Sequence, residues 1–170
     1  MMRRNFIENT AVAALGLAAG TLGVTTAFGK DNPGASTANG LLIQDPAILK
    51  KLPSFVATLH KCLEKGEACF QHCQEELSGG AREFARCSAA VGQMVVLCDA
   101  TSRLAAMKAS ELGSVLDTCL RVCQNCKDAC DEHKPHWQHG MHLECKACSE
   151  ECARVIAEGT ELAKLFKKAG

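Results

Sequence analysis

Apolar and sulfur-bearing positions recur along this chain with the period of an α-helix. Between residues 54 and 77, Phe55, Leu59, Cys62, Gly66, Cys69, Cys73 and Leu77 follow one another at steps of three or four. Those steps keep them on one face of a helix with 3.6 residues per turn. Ser54 can cap its start, and Gly79-Gly80 supplies its stop. A second stripe runs through residues 81–108, with Phe84, Cys87, Val91, Met94 and Cys98 inward. A third, over 111–132, carries Leu112, Leu116, Cys119, Cys123, Cys126 and Cys130. A fourth, over 141–168, carries Met141, Cys145, Cys148, Cys152, Val155, Leu162 and Leu165 or Phe166. Lys167 and Lys168 sit favourably in its last turn. Ahead of them, Asp45-Pro46 predicts a cap and a short helix to Leu52, which Pro53 interrupts. Four long helices with short connections predict an all-α, antiparallel up-down four-helix bundle.

Composition changes this picture in one respect. Twelve of the 170 residues are cysteine, and all twelve fall on the buried stripes. Cys119, Cys123, Cys126 and Cys130 span an arc of about 60° on a helical wheel, and the other sets span no more. Aromatics are only 4% of the chain, with one Trp and no Tyr, so sulfur and small aliphatics must form the core. Counting rise from the Gly79-Gly80 end stacks the cysteines in layers. The first contains Cys73, Cys87, Cys130 and Cys145; the next contains Cys69, Val91, Cys126 and Cys148. The third contains Gly66, Met94, Cys123 and Cys152, and the last Cys62, Cys98 and Cys119. All twelve thiols then line a tube about 16 Å long.

Bare thiolates cannot be buried together, so they stay protonated or are neutralised by metal. Copper(I) is soft, singly charged and content with thiolate ligands. If each thiolate bridges two ions and each ion takes two thiolates, charge cancels at one ion per cysteine, up to about twelve. Cysteines at i and i+4, with Cβ atoms roughly 5–6 Å apart, can bracket such an ion.

Other readings compete. Cys123-x-x-Cys126 and Cys145-x-x-Cys148 have zinc-knuckle spacing, but one zinc site leaves eight aligned cysteines unused. A disulfide-braced structural bundle suits an exported chain, yet a continuous thiol stripe gives no stable pairing plan. A small-capacity copper chaperone differs from a store only in how much it holds. A di-iron enzyme needs Glu-x-x-His pairs, which are absent, and an iron–sulfur carrier would favour tighter cysteine runs. Buried ligands with no Ser/His/Asp arrangement point away from an enzyme. Formal net charge is zero and no basic run interleaves with aromatics, which argues against nucleic acid.

Residues 1–27 look like an export signal. Arg3-Arg4-Asn5-Phe6-Ile7 resembles a twin-arginine motif, followed by an uncharged Ala/Gly-rich run from Ala11 to Ala27. The run is short and glycine-rich for a span, so the mature form is expected without stable membrane insertion, in the periplasm or otherwise exported. Residues 28–45 form a turn-rich linker and 46–170 the metal-binding bundle.

On these residues the chain resembles the bacterial copper storage proteins, and by Arg3-Arg4 their exported branch. The carrying motif is Cys-x-x-x-Cys on successive helices, at Cys69–Cys73, Cys119–Cys123, Cys126–Cys130 and Cys148–Cys152. The resemblance covers about residues 50–168. It implies a thiolate-lined tube filled with copper(I), with copper-donor or copper-recipient proteins as partners; a homo-oligomer is compatible with it. Gly66 and Val91 depart from an unbroken cysteine lining, so the middle of the tube is expected to be less evenly filled.

His133, His136, His139 and His142 crowd the loop before the fourth helix, with Met141 among them. In the stacked arrangement they lie at the mouth, beside Cys130 and Cys145. Imidazole and thioether bind copper(I) less firmly than thiolate and suit a relay into the tube. His133, His142 and Met141 are therefore candidate ligands there, as the resemblance also implies. His72 and His60 lie off the main stripe, while Met94 is in register to offer a thioether or simply to fill a gap.

Overall fold

The computed structural model of the chain describes residues 38–169. The segment read as an export signal and the first part of the segment read as a linker lie outside them. The described residues are helical, with one isolated backbone bridge between Leu42 and Ala109.

Helix α1 spans Pro46–Ser78, α2 Ala85–Ala106, α3 Leu112–Asp131, α4 Lys134–Trp137 and α5 Leu143–Ala169. Four of these form an up-down bundle. α1 and α3 each pack on both α2 and α5, leaving α1 and α3 diagonally opposite. α4 is a single turn that crosses the end of the bundle beside α5.

Three boundaries differ from the sequence expectation. The short leading helix and the first long helix are one. Asp45 caps it, its carboxylate accepting from the backbone N–H groups of Ala47 and Ile48. The helix runs through Pro53, whose ring is on the exposed side. Ile48, Leu52, Phe55 and Leu59 continue one buried stripe across it. Tertiary burial of that stripe outweighs the hydrogen bond proline removes. The second helix starts later, because residues Arg82–Phe84 form a 3₁₀ turn before it. The loop before the last helix contains α4 and leaves α5 to begin at Leu143.

The far end of the segment read as a linker is packed in place. The Ile43 N–H donates to the Lys108 carbonyl at 2.7 Å and the Ser110 N–H to the Leu41 carbonyl at 2.9 Å. Ile43 is buried with the core. Leu41, Leu42 and Ile43 form an apolar run in this segment, and the turn between α2 and α3 supplies the backbone groups that Leu41 and Ile43 meet.

The core has two parts along its length. At the end holding residues 38–45, it is hydrocarbon: Ile48, Phe55, Leu59, Leu112, Leu116, Val155 and Leu162 are all buried. Leu59, Leu116 and Leu162, members of the predicted stripes, form an apolar plug at that end. Towards the Gly79-Gly80 turn, the same stripes become sulfur. Gly80 there has φ of 97°, a left-handed conformation that glycine adopts without strain. Among the described residues no helix is long and apolar enough to cross a membrane.

Candidate metal centre

All twelve cysteines are fully buried and none is joined to another. Their sulfurs nevertheless touch in a nearly continuous string. At the mouth, the Cys87 sulfur lies 3.6 Å from that of Cys130 and 4.0 Å from that of Cys145. Cys69 lies 3.6 Å from Cys145 and 3.9 Å from Cys130. Deeper, Cys126 and Cys148 are 3.6 Å apart, and Cys62 and Cys152 3.8 Å. At the inner end Cys98 lies 3.5 Å from Cys123 and 3.9 Å from Cys119.

These thiols form overlapping groups whose sulfurs all lie within 4.8 Å of one another. One is Cys69, Cys73, Cys87 and Cys145; others are Cys69 with Cys130 and Cys148, and Cys126 with Cys148 and Cys152. Two more are Cys62 with Cys123 and Cys152, and Cys98 with Cys119 and Cys123. The flat layers expected from counting rise are thus staggered: Cys69 joins the mouth group and Cys123 the innermost. The count began every helix at the same level, whereas the 3₁₀ turn before α2 and the extra turn before α5 offset them. The four knuckle-spaced cysteines do not converge on one site, since Cys145 groups with the mouth thiols and Cys123 with the inner ones.

The thiols share protons. Hydrogen bonding with Cys130 holds Cys145 well below the usual thiol range, and hydrogen bonding with Cys126 does so for Cys148. Cys130 and Cys152 are pushed up in return, mainly by their contacts with Cys126 and Cys123. Cys87 is lowered to about 5, chiefly through Cys130, and Cys119 to about 4, chiefly through Cys123. Protons in such a set belong to the group. The thiols are thus hydrogen-bonded to one another as a set, and a soft cation that displaces those protons is their natural counter-ion.

The mouth is closed by rings. Phe84, expected as an ordinary core residue, stacks on His133 with centroids 4.2 Å apart and planes 3° off parallel. His142 meets Phe84 edge-on at 4.8 Å. His72 Nε2 lies 3.0 Å from His142 Nδ1, and its Nδ1 is 4.0 Å from carboxylates of Glu76 and Glu144. Burial, then the neighbouring His72, lowers the basicity of His142. His133 is 6% exposed, with its Nε2 buried and without a hydrogen-bond partner among the described residues. His136 reaches the same cluster through His142, at 5.6 Å between centroids. His60 and His139 face solvent.

Met141 does not point inward as expected; it is 45% exposed. α5 begins two residues later, and His142 has φ of 54°, so the stripe's register does not extend back to Met141. Sequence reasoning also undervalued His72. It lies off the cysteine stripe of its own helix, and only the fold of the connecting loop brings His142 to it.

Met94 fills the empty slot at Gly66. A Cβ built on Gly66 would lie 2.4 Å from the Met94 methyl carbon, so only glycine accommodates that side chain as placed. Met94 is fully buried and its sulfur is 3.4 Å from that of Cys62.

With this geometry in view, the comparisons with known proteins are direct. The family described as Csp, copper storage protein, matches residues 49–157, well over half of the chain. A solved structure described as copper loading to a cytosolic copper storage protein from Streptomyces lividans, with five coppers, superposes with a TM-score of 0.61. It is 22% identical, and the alignment covers 71% of this chain and 98% of that one. No curated protein sequence matches. The family match covers the helices that carry all twelve thiols, and the chain belongs to the copper storage protein family.

Proposed function

We propose that this chain stores many copper(I) ions, up to about twelve, inside its thiol tube after export by the twin-arginine route. The observation that carries this reading is the overlap of the thiol groups. Cys69, Cys123, Cys148 and Cys152 each belong to two of them. A thiolate shared between groups is a bridge between ions. Bridging brings the ratio of metal to sulfur towards one and removes the charge that isolated sites would leave. The capacity separates a store from a chaperone.

Copper reaches the tube past His72, His133 and His142, with Met141 outside them as a thioether that meets the ion first. The Nε2 of His133 has no hydrogen-bond partner among the described residues and is free to meet an incoming ion. Glu76 and Glu144 beside His72 favour a cation at that point. The export signal supports a location beyond the inner membrane, where the thiols must be loaded or shielded to stay reduced.

The test is anaerobic titration of the reduced protein with copper(I) in the presence of a competing chelator, read with metal analysis. We expect at least about ten equivalents to bind, with loss of reactive thiols in proportion. Saturation at one or two equivalents removes the storage reading in favour of a chaperone. Expression in cells with and without a working twin-arginine pathway tests export: mature protein should appear outside the cytoplasm only in the former.

A further inference from the structure

We infer that Met94 is a copper(I) ligand at the waist of the tube, its thioether completing a site with Cys62 where the cysteine lining is interrupted. The inference rests on the storage reading.

The interruption is confined to one wall. On α1 the stripe Cys62, Gly66, Cys69, Cys73 lacks a thiol at Gly66, and on α2 the stripe Cys87, Val91, Met94, Cys98 lacks two. On the opposite wall, Cys123, Cys126, Cys148 and Cys152 run without a break. A copper ion at the middle of the tube therefore has thiolates on the α3 and α5 side. On the α1 and α2 side, it meets Met94.

The packing puts sulfur there. Met94 reaches across to α1 and lays its methyl over Gly66. Glycine in a helix interior weakens the helix relative to alanine. A Cβ at 66 would displace the Met94 methyl, so the residue that creates the gap is the one that admits the thioether as placed. The Met94 sulfur then sits 3.4 Å from Cys62, which is itself grouped with Cys123 and Cys152. Three thiols and one thioether thus converge from all four long helices of the bundle.

The chemistry is consistent with that position. When copper(I) binds Cys62, the Cys62 sulfur loses its proton to solvent and forms the bond to the metal. Met94 contributes a lone pair and releases no proton, and no electron changes hands. A thioether adds a soft donor without adding negative charge. A leucine would fill the same space without donating, so volume and ligation can be separated.

The experiment uses the full chain grown with selenomethionine, loaded anaerobically with copper(I), and measured by X-ray absorption at the selenium edge. Three proteins are compared: Met141→Leu, Met94→Leu and the double variant. Met141→Leu removes the thioether that meets copper at the mouth. We expect a copper–selenium shell in Met141→Leu and none in the double variant, with total copper reduced by no more than about one ion in each. Full loading of Met141→Leu without a copper–selenium shell overturns the assignment of Met94 and leaves storage standing. A shell that survives in the double variant overturns it too, by placing copper on another methionine. Failure of the unsubstituted chain to bind many ions would instead overturn the storage reading itself.

Discussion

The two ends of this bundle share helices, stripes and burial, and differ in one atom type. On α1 the stripe is Phe55 and Leu59 at one end and Cys62, Cys69 and Cys73 at the other. On α3 it is Leu112 and Leu116, then four cysteines. On α5 the order is reversed, as an antiparallel helix requires, with cysteines first and Val155 and Leu162 after. Buried thiols pack as small hydrophobes, so both halves exclude water. They differ in what they can exchange. The hydrocarbon half has nothing to release or accept, whereas each thiol of the other half can trade a proton for a metal ion. One half keeps the fold whether or not cargo is present, and the other changes its chemistry with loading.

Copper should divide the two halves most sharply. Each site filled at a hundred times its dissociation constant adds about 2.7 kcal/mol to stability. Several such sites raise the melting temperature by at least roughly 20 °C for a domain of this size. Calorimetry of the copper-free and copper-loaded protein under argon measures it. A loaded protein melting within a few degrees of the empty one would mean that the thiols hold copper too weakly for storage.

Substitution in each half gives the next contrast. Leu116→Ala should cost about 2–5 kcal/mol of copper-free stability, because a fully buried leucine leaves a cavity. Its copper count should not change. Cys123→Ala removes one sulfur and should cost only about 1 kcal/mol before loading. It should lose about two ions, since Cys123 serves two groups. Chemical denaturation and metal analysis of both variants give the four numbers. Equal copper loss in the two would show that the leucine end shapes the sites, and the division drawn here would fail.

How far the sequence reveals this division depends on the period. Residues three and four apart share a helix face whatever surrounds them, so the inward orientation of all twelve cysteines could be read directly. So could the leucine plug, which continues the same stripes. Features that depend on where a helix starts could not. Met141 shares the cysteine register on paper, but the positive φ of His142 breaks it. Pro53 is a reliable interruption locally, yet Ile48 and Leu52 bury on the far side of it and carry the helix through. The contacts His72–His142, Phe84–His133 and Met94–Cys62 join residues far apart in the chain, and no local spacing encodes them. Gly66 carried a signal of this kind, as a glycine on the cysteine stripe with no turn to make.

The smallest expected effect lies at the mouth, where rings replace both sulfur and leucine. His142 is lowered by burial and then by the facing His72, with His133 acting in the same direction. Glu76 opposes them. A depressed folded pKa means that the folded protein resists protonating this ring. The associated stability is present in full above the ordinary histidine pKa of about 6.5 and declines as the pH falls through the lowered value. The ring is only partly buried, so solvent screening keeps the change small. In the copper-free protein, the His142 ring resonances should titrate with a midpoint below that of free histidine. His142→Ala should leave the copper capacity unchanged and slow uptake, because the tube remains and the lone pair at its opening is gone. If that variant instead bound fewer ions at equilibrium, His142 would belong to the store, and the boundary between mouth and tube would move outward by one layer.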